Sequence, residues 1–230
     1  MKVADCLTDN GKHKLEFSLR GVPVVGQFVQ RDTEMRELER FFFEKPAATE
    51  KPTTTSRRKV FVIHGLGGIG KTQLAVEFAR KHHRRFSSVI WLDGSSETSL
   101  KQSFTNMMQR LPQDELTTDG VEILNHSKID VNAAVRECLQ WLSLMSNYQW
   151  LIVFDSVDRD PYDKDDLHAY NINDYFPQAD QGSVLITSRL ASLRRHGLGL
   201  KVGTVTKEQA RAILESHAGR AVEGKLVANS

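Results

Sequence analysis

Hydrophobic and polar positions follow two alternating rhythms along most of this chain. Short apolar runs rich in β-branched and aromatic residues occur at Val60–Ile63, Ser88–Leu92, Trp150–Phe154, Ser183–Thr187 and Leu200–Val205. Each is of strand length, and continuous rather than alternating apolarity predicts strands buried on both faces. Between them, apolar residues recur every three to four positions. Met35, Leu38, Phe41 and Phe42 predict a helix capped by Asp32 or Thr33, and Leu74, Ala75, Phe78 and Ala79 predict a second. A third covers about Glu97–Leu111, and Val131, Val135, Cys138, Leu139 and Leu142 predict a fourth, with Asp130 as its cap. Pro112–Gly120 reads as irregular. Thr206 and Gln209 fit a capping box that opens a last helix to about Ala218. Strands alternating with helices imply an α/β fold with a mainly parallel sheet between helical layers.

The flanks are less regular. Residues 1–25 lack a sustained period and read as a lead-in segment, while Glu44–Arg58, with Pro46, Pro52 and the Thr53–Ser56 run, reads as a flexible loop. Arg57, Arg58 and Lys59 can meet a phosphate or anionic partner, but a solvated loop end is the favoured reading. Composition narrows the class. Of 230 residues, 40 % are hydrophobic and 26 % charged, a globular rather than disordered mixture. Lys and Arg number 31 against 29 acids, a net charge of +2 that gives no broad attraction for nucleic acid. Trp150–Phe154 is far shorter than the roughly 20 apolar residues of a membrane span. No charged-then-apolar leader opens the chain, so no membrane partner is expected and a cytoplasmic location is. Cys6 and Cys138 are too few for a disulfide framework or a zinc site.

Three elements carry chemistry. The Gly65–Thr72 segment matches G-x-x-x-x-G-K-S/T without a gap, between a predicted strand and a predicted helix. Its glycines let backbone N–H groups approach phosphate oxygens, Lys71 adds a full positive charge, and Thr72 offers a hydroxyl to Mg²⁺. Trp150–Asp155 is an apolar strand ending in a carboxylate, which falls at the sheet edge where open α/β folds bind ligands. There Asp155 can hold Mg²⁺. Ser183–Arg189 ends in polar residues and an arginine at the same edge, where a guanidinium can sense a terminal phosphate. Other features read as bland. His64, His82 and His83 lack metal-ligand spacing. Asp158, Asp160, Asp163, Asp165 and Asp166 lack the glycine and terminal Glu of a calcium loop and read as a solvated face. Trp91, Trp141 and Trp150 read as core.

Together these residues resemble the nucleotide-binding domain of the NB-ARC group of STAND P-loop NTPases, the switch module of NOD-like and plant-resistance-like receptors, with the fungal branch most similar. The resemblance rests on Gly65–Gln73, on Phe28–Asp32, on Ser88–Asp93, on Gly182–Arg189 and on Val205–Leu214, in family order. It implies a three-layer P-loop NTPase fold over residues 26–203, followed by the start of a helical domain at 204–230. It further implies ADP or ATP as ligand with Mg²⁺, and nucleotide contacts from Gly65, Gly67, Gly68, Ile69, Gly70, Lys71, Thr72, Gln73 and Arg189. Val29 and Arg31 would lie by the adenine, Thr72 and Asp155 on the metal, and Asp155 with Asp158 as candidate catalytic acids. Two residues depart from the family text: Gln30 stands where Gly is usual, and Ser156 where many relatives carry a second Asp or Asn. The last proline is Pro177, so no Gly-x-Pro motif follows and the expected chain is the front part of a switch. Its protein partners, or self-association, would then come through domains outside it.

The leading expectation is a signalling module that binds nucleotide and hydrolyses it slowly or not at all, because Ser156 lacks a carboxylate. Whether it is an enzyme is left open. An active P-loop ATPase motor or remodelling enzyme, and an interaction fragment that no longer switches, are the alternatives.

Overall fold

The computed structural model describes residues 13–19, 21–22, 31–44, 57–126, 129–162, 166–204 and 210–211. Five strands, β1 (Lys59–His64), β2 (Ser88–Asp93), β3 (Trp150–Asp155), β4 (Ser183–Ser188) and β5 (Leu198–Lys201), form one sheet in the order β2-β3-β4-β1-β5. Every neighbouring pair is parallel, with Leu185 of β4 opposite both Phe61 of β1 and Val153 of β3. Parallel neighbours require crossovers; α2 (Lys71–His82) links β1 to β2, and α3 (Glu97–Met108), α4 (Thr118–Asn125) and α5 (Val131–Leu142) link β2 to β3. Among the described residues only a short 3-10 turn at Ile172–Tyr175 lies between β3 and β4; α1 (Asp32–Phe43) leads in.

The period of two along each strand divides the core. Phe61, Ile63, Val89, Leu151, Val153 and Leu185 face α1 and α2 in one apolar cluster. Val62, Ile90, Leu92, Ile152, Phe154, Val184 and Ile186 face α3 and α5 in the other. Trp150, Trp141, Phe78 and Phe104 are fully buried, and burial of side chains this size contributes about 1.5–3 kcal/mol each. Trp91 is only half-buried.

The strand expectations stand, with one shift. β5 spans Leu198–Lys201 rather than 200–205, because Gly197 and Gly199 admit close contacts that side chains would fill. A Cβ on Gly197 would fall 2.1 Å from the Val60 carbonyl oxygen. Asp130 caps α5 as expected, accepting the N–H groups of Asn132 and Ala133. Neither Asp32 nor Thr33 caps α1; both lie inside it, and Arg31 occupies the cap position without a capping hydrogen bond from its side chain. The third helix ends at Met108, where a tighter turn precedes Pro112.

Pro112–Gly120 is not irregular throughout, since α4 begins at Thr118. Thr117 caps it, and its own N–H and hydroxyl bind Glu137 of α5 at 2.7 Å each. Gly120 is the reason this helix was hidden: a Cβ there would meet the Glu137 carboxyl at 2.5 Å.

The lead-in segment is partly bound. The Leu15 N–H donates to Ser88 Oγ at 2.9 Å, the Ser88 hydroxyl donates to the His13 carbonyl at 2.8 Å, and Phe17 stacks on His83. In the basic cluster Arg57 is exposed, as a solvated loop end would be, but Arg58 and Lys59 are not. Lys59 Nζ donates to the carbonyls of Phe41 and Phe42, satisfying the C-terminus of α1, and the Arg58 guanidinium lies 5.2 Å from the centre of the Phe176 ring. The predicted last helix has only residues 210 and 211, both helical, among the described residues; Thr206 and Gln209 lie outside them. Most of the 44–58 loop and of the 204–230 segment also lies outside.

Candidate nucleotide site

Because β4 lies between β1 and β3, the ends of three neighbouring strands converge at the C-terminal edge of the sheet. β1 leads into the glycine loop and then α2; β3 ends at Asp155; β4 ends at Thr187 and Ser188, followed by Arg189. Two glycines in the loop are structurally required. Gly65, at φ +150°, lies against β5, where a Cβ would stand 2.6 Å from the Val202 carbonyl oxygen. Gly70, at φ +95°, is the left-handed residue that turns the chain into α2. No acid lies in the first turn of α2, so no carboxylate of its own competes for the positive end of its dipole, which suits an anion.

Lys71 is buried, and its ammonium donates to the carbonyls of Gly65 at 3.0 Å and Leu66 at 2.8 Å. Burial pulls its pKa down, the Asp158 charge opposes that shift, and Arg189 adds to it. The lysine is thus folded over the loop it serves. Thr72 Oγ1 donates to Asp155 Oδ1 at 2.8 Å. Asp155 is only 7 % exposed, and burial raises its carboxyl pKa against the hydrogen bonds from Thr187 and Thr72. A hydroxyl and a buried carboxylate held together in this way form a donor set suited to a hard divalent cation.

Thr187 is the functional residue that sequence reasoning passed over. Fully buried, it donates its hydroxyl to Asp155 Oδ1 at 2.5 Å and accepts the Ser156 N–H at 2.8 Å. The signal available was its place in the polar end of the Ser183–Arg189 run. Ser156 takes φ +62°, a left-handed conformation uncommon outside glycine, and redirects the chain after β3. Asp158 then meets Arg189: its Oδ1 accepts the Arg189 backbone N–H and its Oδ2 the Nε–H, each at 2.6 Å. Gly67, Gly68, Gly70 and Lys71–Gln73 on one side, with Ser156, Asp158 and Arg189 on the other, line a cleft of about 470 Å³.

Arg31 sits beneath the loop. Its Nη2 donates to the Ile69 carbonyl at 2.8 Å, and its Nη1 to the Gly203 carbonyl at 3.2 Å and to Glu34 at 3.1 Å. Val29 lies outside the described residues. The acidic run is not a solvated face: besides the Asp158 pair, Asp160 binds Arg195 and Ser192, and Asp166 binds Arg159 at 2.7 Å. Asp163 and Asp165 lie outside the described residues. His82 is buried between Phe43 and Phe78 with Nε2 at 2.9 Å from Glu39, a packing role, and His64 is buried at the end of β1.

A parallel sheet with β4 between β1 and β3, and a glycine loop opening α2, defines a P-loop NTPase fold. Residues 46–223 match the NB-ARC domain family, and the chain belongs to it. It is similar to a nucleotide-binding leucine-rich repeat (NLR)-like protein of Hyaloscypha variabilis, 26 % identical over 178 residues, covering 72 % of this chain and 16 % of that protein. It is also similar to a putative disease resistance protein of Arabidopsis thaliana, 30 % identical over 162 residues, covering 69 % of this chain and 16 % of that protein. The chain thus spans about one sixth of the length of the curated relatives it matches. Among solved structures, Cdc6p of Pyrobaculum aerophilum shares the fold with a TM-score of 0.51 at 11 % identity, covering 88 % of this chain and 52 % of that one. The chain is therefore a nucleotide-binding module with NLR-like and resistance-like relatives. No helix among the described residues is long and apolar enough to cross a membrane.

Proposed function

We propose that this chain binds ADP or ATP together with Mg²⁺ as the nucleotide module of a STAND-type signalling switch. The observation that carries this reading is the joint placement of Lys71 over the glycine loop and of Thr72 against buried Asp155 at the same sheet edge. The loop N–H groups and Lys71 would hold the phosphates. Thr72 and Asp155 would hold the metal, which neutralises phosphate charge when bound. Ile69 and Gln73 border the phosphates, Arg189 meets the terminal one, and Val29 and Arg31 border the base. Arg31 acts there by tying the start of α1 to Ile69 and Gly203.

Hydrolysis is slow, because Ser156 offers a hydroxyl where a second acid would orient the attacking water. A switch needs nucleotide affinity to differ between two states, and the second state is supplied by partner domains or by self-association. The setting is cytoplasmic, in keeping with the buried, unpaired Cys138 thiol. The test is the nucleotide retained by the purified chain, with turnover measured afterwards. Retained ADP and turnover below about once per minute are expected. Rapid turnover would favour the ATPase motor, and no retained or added nucleotide bound would favour the interaction fragment.

A further inference from the structure

Asp158 and Arg189 come from two different strand ends and meet at the mouth of the glycine-loop cleft. The contact has two points. Asp158 takes the Arg189 backbone N–H on one oxygen and the side-chain Nε–H on the other, both at 2.6 Å. Ser188 backs the turn from behind, its hydroxyl donating to the Val157 carbonyl and standing 3.5 Å from Asp158 Oδ1. The arginine stem crosses the loop, since a Cβ on Gly67 would fall 3.7 Å from Arg189 Cδ.

The pair does not read as a stability device. The Arg189 side chain is 62 % exposed, and ion pairs this open contribute little to folding. What the clasp does is fix a long side chain that would otherwise sample many rotamers, and it does so through Nε, leaving the two Nη groups on the other edge of the fork. Both residues also act on the charge of Lys71, so both lie within electrostatic reach of the phosphate lysine. With both Asp158 oxygens bound by one residue, its carboxylate is committed to the arginine rather than to activating a water.

We infer that Asp158 is a positioning residue that holds Arg189 over the glycine loop, and that this clasp sets the preference of the cleft for nucleoside triphosphate over diphosphate. The inference rests on the nucleotide-binding reading above. The third phosphate adds charge that a diphosphate lacks, and a pre-oriented guanidinium gains from it without first being ordered.

The test compares, in the full 230-residue chain with Mg²⁺, calorimetric affinities for ADP and for a non-hydrolysable ATP analogue. Asp158→Asn should lower the triphosphate-to-diphosphate affinity ratio by about fivefold. Arg189→Lys, a substitution at an exposed position that keeps the charge but removes Nε, should lower the ratio by a similar amount. In an Arg189→Gln background, Asp158→Asn should lower it no further. A ratio unchanged or raised in both Asp158→Asn and Arg189→Lys would overturn the inference. So would an undiminished Asp158→Asn effect in the Arg189→Gln background. If Asp158→Asn fails to fold, as read by far-ultraviolet circular dichroism, the Arg189→Lys ratio decides alone. A wild-type chain that binds neither nucleotide would overturn the underlying reading instead, and the inference with it.

Discussion

The end of β3 and the loop that follows it treat their acids in opposite ways. Asp155 is buried, its carboxylate accepts the Thr72 and Thr187 hydroxyls, and burial pushes its carboxyl pKa up. Among the described residues no lysine or arginine lies at ion-pair distance from it. A few residues on, Asp158 is clasped by Arg189, and Asp160 is bound by Arg195 strongly enough to hold its carboxyl down to about 2. Asp166 is paired with Arg159. The contrast teaches where positive charge is still owed. Asp158, Asp160 and Asp166 have their cations within the fold, whereas Asp155 is a buried carboxylate without an ion-pair partner among the described residues.

Four substitutions break or sharpen that contrast. The largest effect belongs to Lys71→Ala, which removes the cation next to the site. It should weaken nucleotide binding by about a hundredfold or more with the far-ultraviolet circular dichroism unchanged. Near-native affinity in that variant would remove the central claim about the loop.

Next comes a completed pair. Asp160→Asn should cost about 2 kcal/mol of stability at neutral pH, measured by urea unfolding. The sign follows from its depressed carboxyl: the stabilisation is present above the ordinary carboxylate pKa and is lost as pH falls through about 2. The variant should therefore also flatten the acid limb of the stability profile. A variant as stable as the parent at pH 7 would show that Asp160 is no more complete than Asp155.

Asp155→Asn tests the other side. It should abolish the Mg²⁺ dependence of nucleotide binding, a loss of about tenfold in affinity when metal is present. In the nucleotide-free chain it should have the opposite sign on stability. A raised carboxyl means the folded state binds the extra proton, so stability falls as pH rises from the ordinary carboxylate range through the raised value. Asparagine removes that fall, and thermal unfolding from pH 4 to 8 should show a flatter profile.

The smallest effect lies between the two acids. Ser156 holds φ +62°, so Ser156→Gly should stabilise the chain by about 0.5–1 kcal/mol. Destabilisation instead would mean that the serine side chain, rather than the turn, holds Asp155 and Asp158 apart.

Much of this was legible along the chain because each element announces itself locally. β1 to β4 read as nearly unbroken apolar runs and were visible, whereas the exposed edge strand β5 was only partly so; Asp130 was visible as a cap because its carboxylate reaches N–H groups two and three residues away. The glycine loop was visible because its geometry forbids side chains at fixed spacing. What was hidden depended on partners far off in sequence. Gly120 looked like a turn residue until Glu137 was placed where its Cβ would be. Lys59 looked like a solvated charge until the end of α1 was brought beneath it. His13 and Leu15 showed no period, because a segment pinned by hydrogen bonds to Glu115, Ser146 and Ser88, all far off in sequence, needs none.

The residues of this chain by themselves determined that a glycine loop stands between a strand and a helix, and that an acid ends one other strand and an arginine follows another. Those are properties of short segments, governed by backbone sterics and burial over a few residues. Only the tertiary structure decided which charges are already satisfied. The strand order brings Thr187 onto Asp155 and Arg189 onto Asp158, and whether a buried carboxylate is complete or still lacks a cation depends on neighbours that no local pattern names.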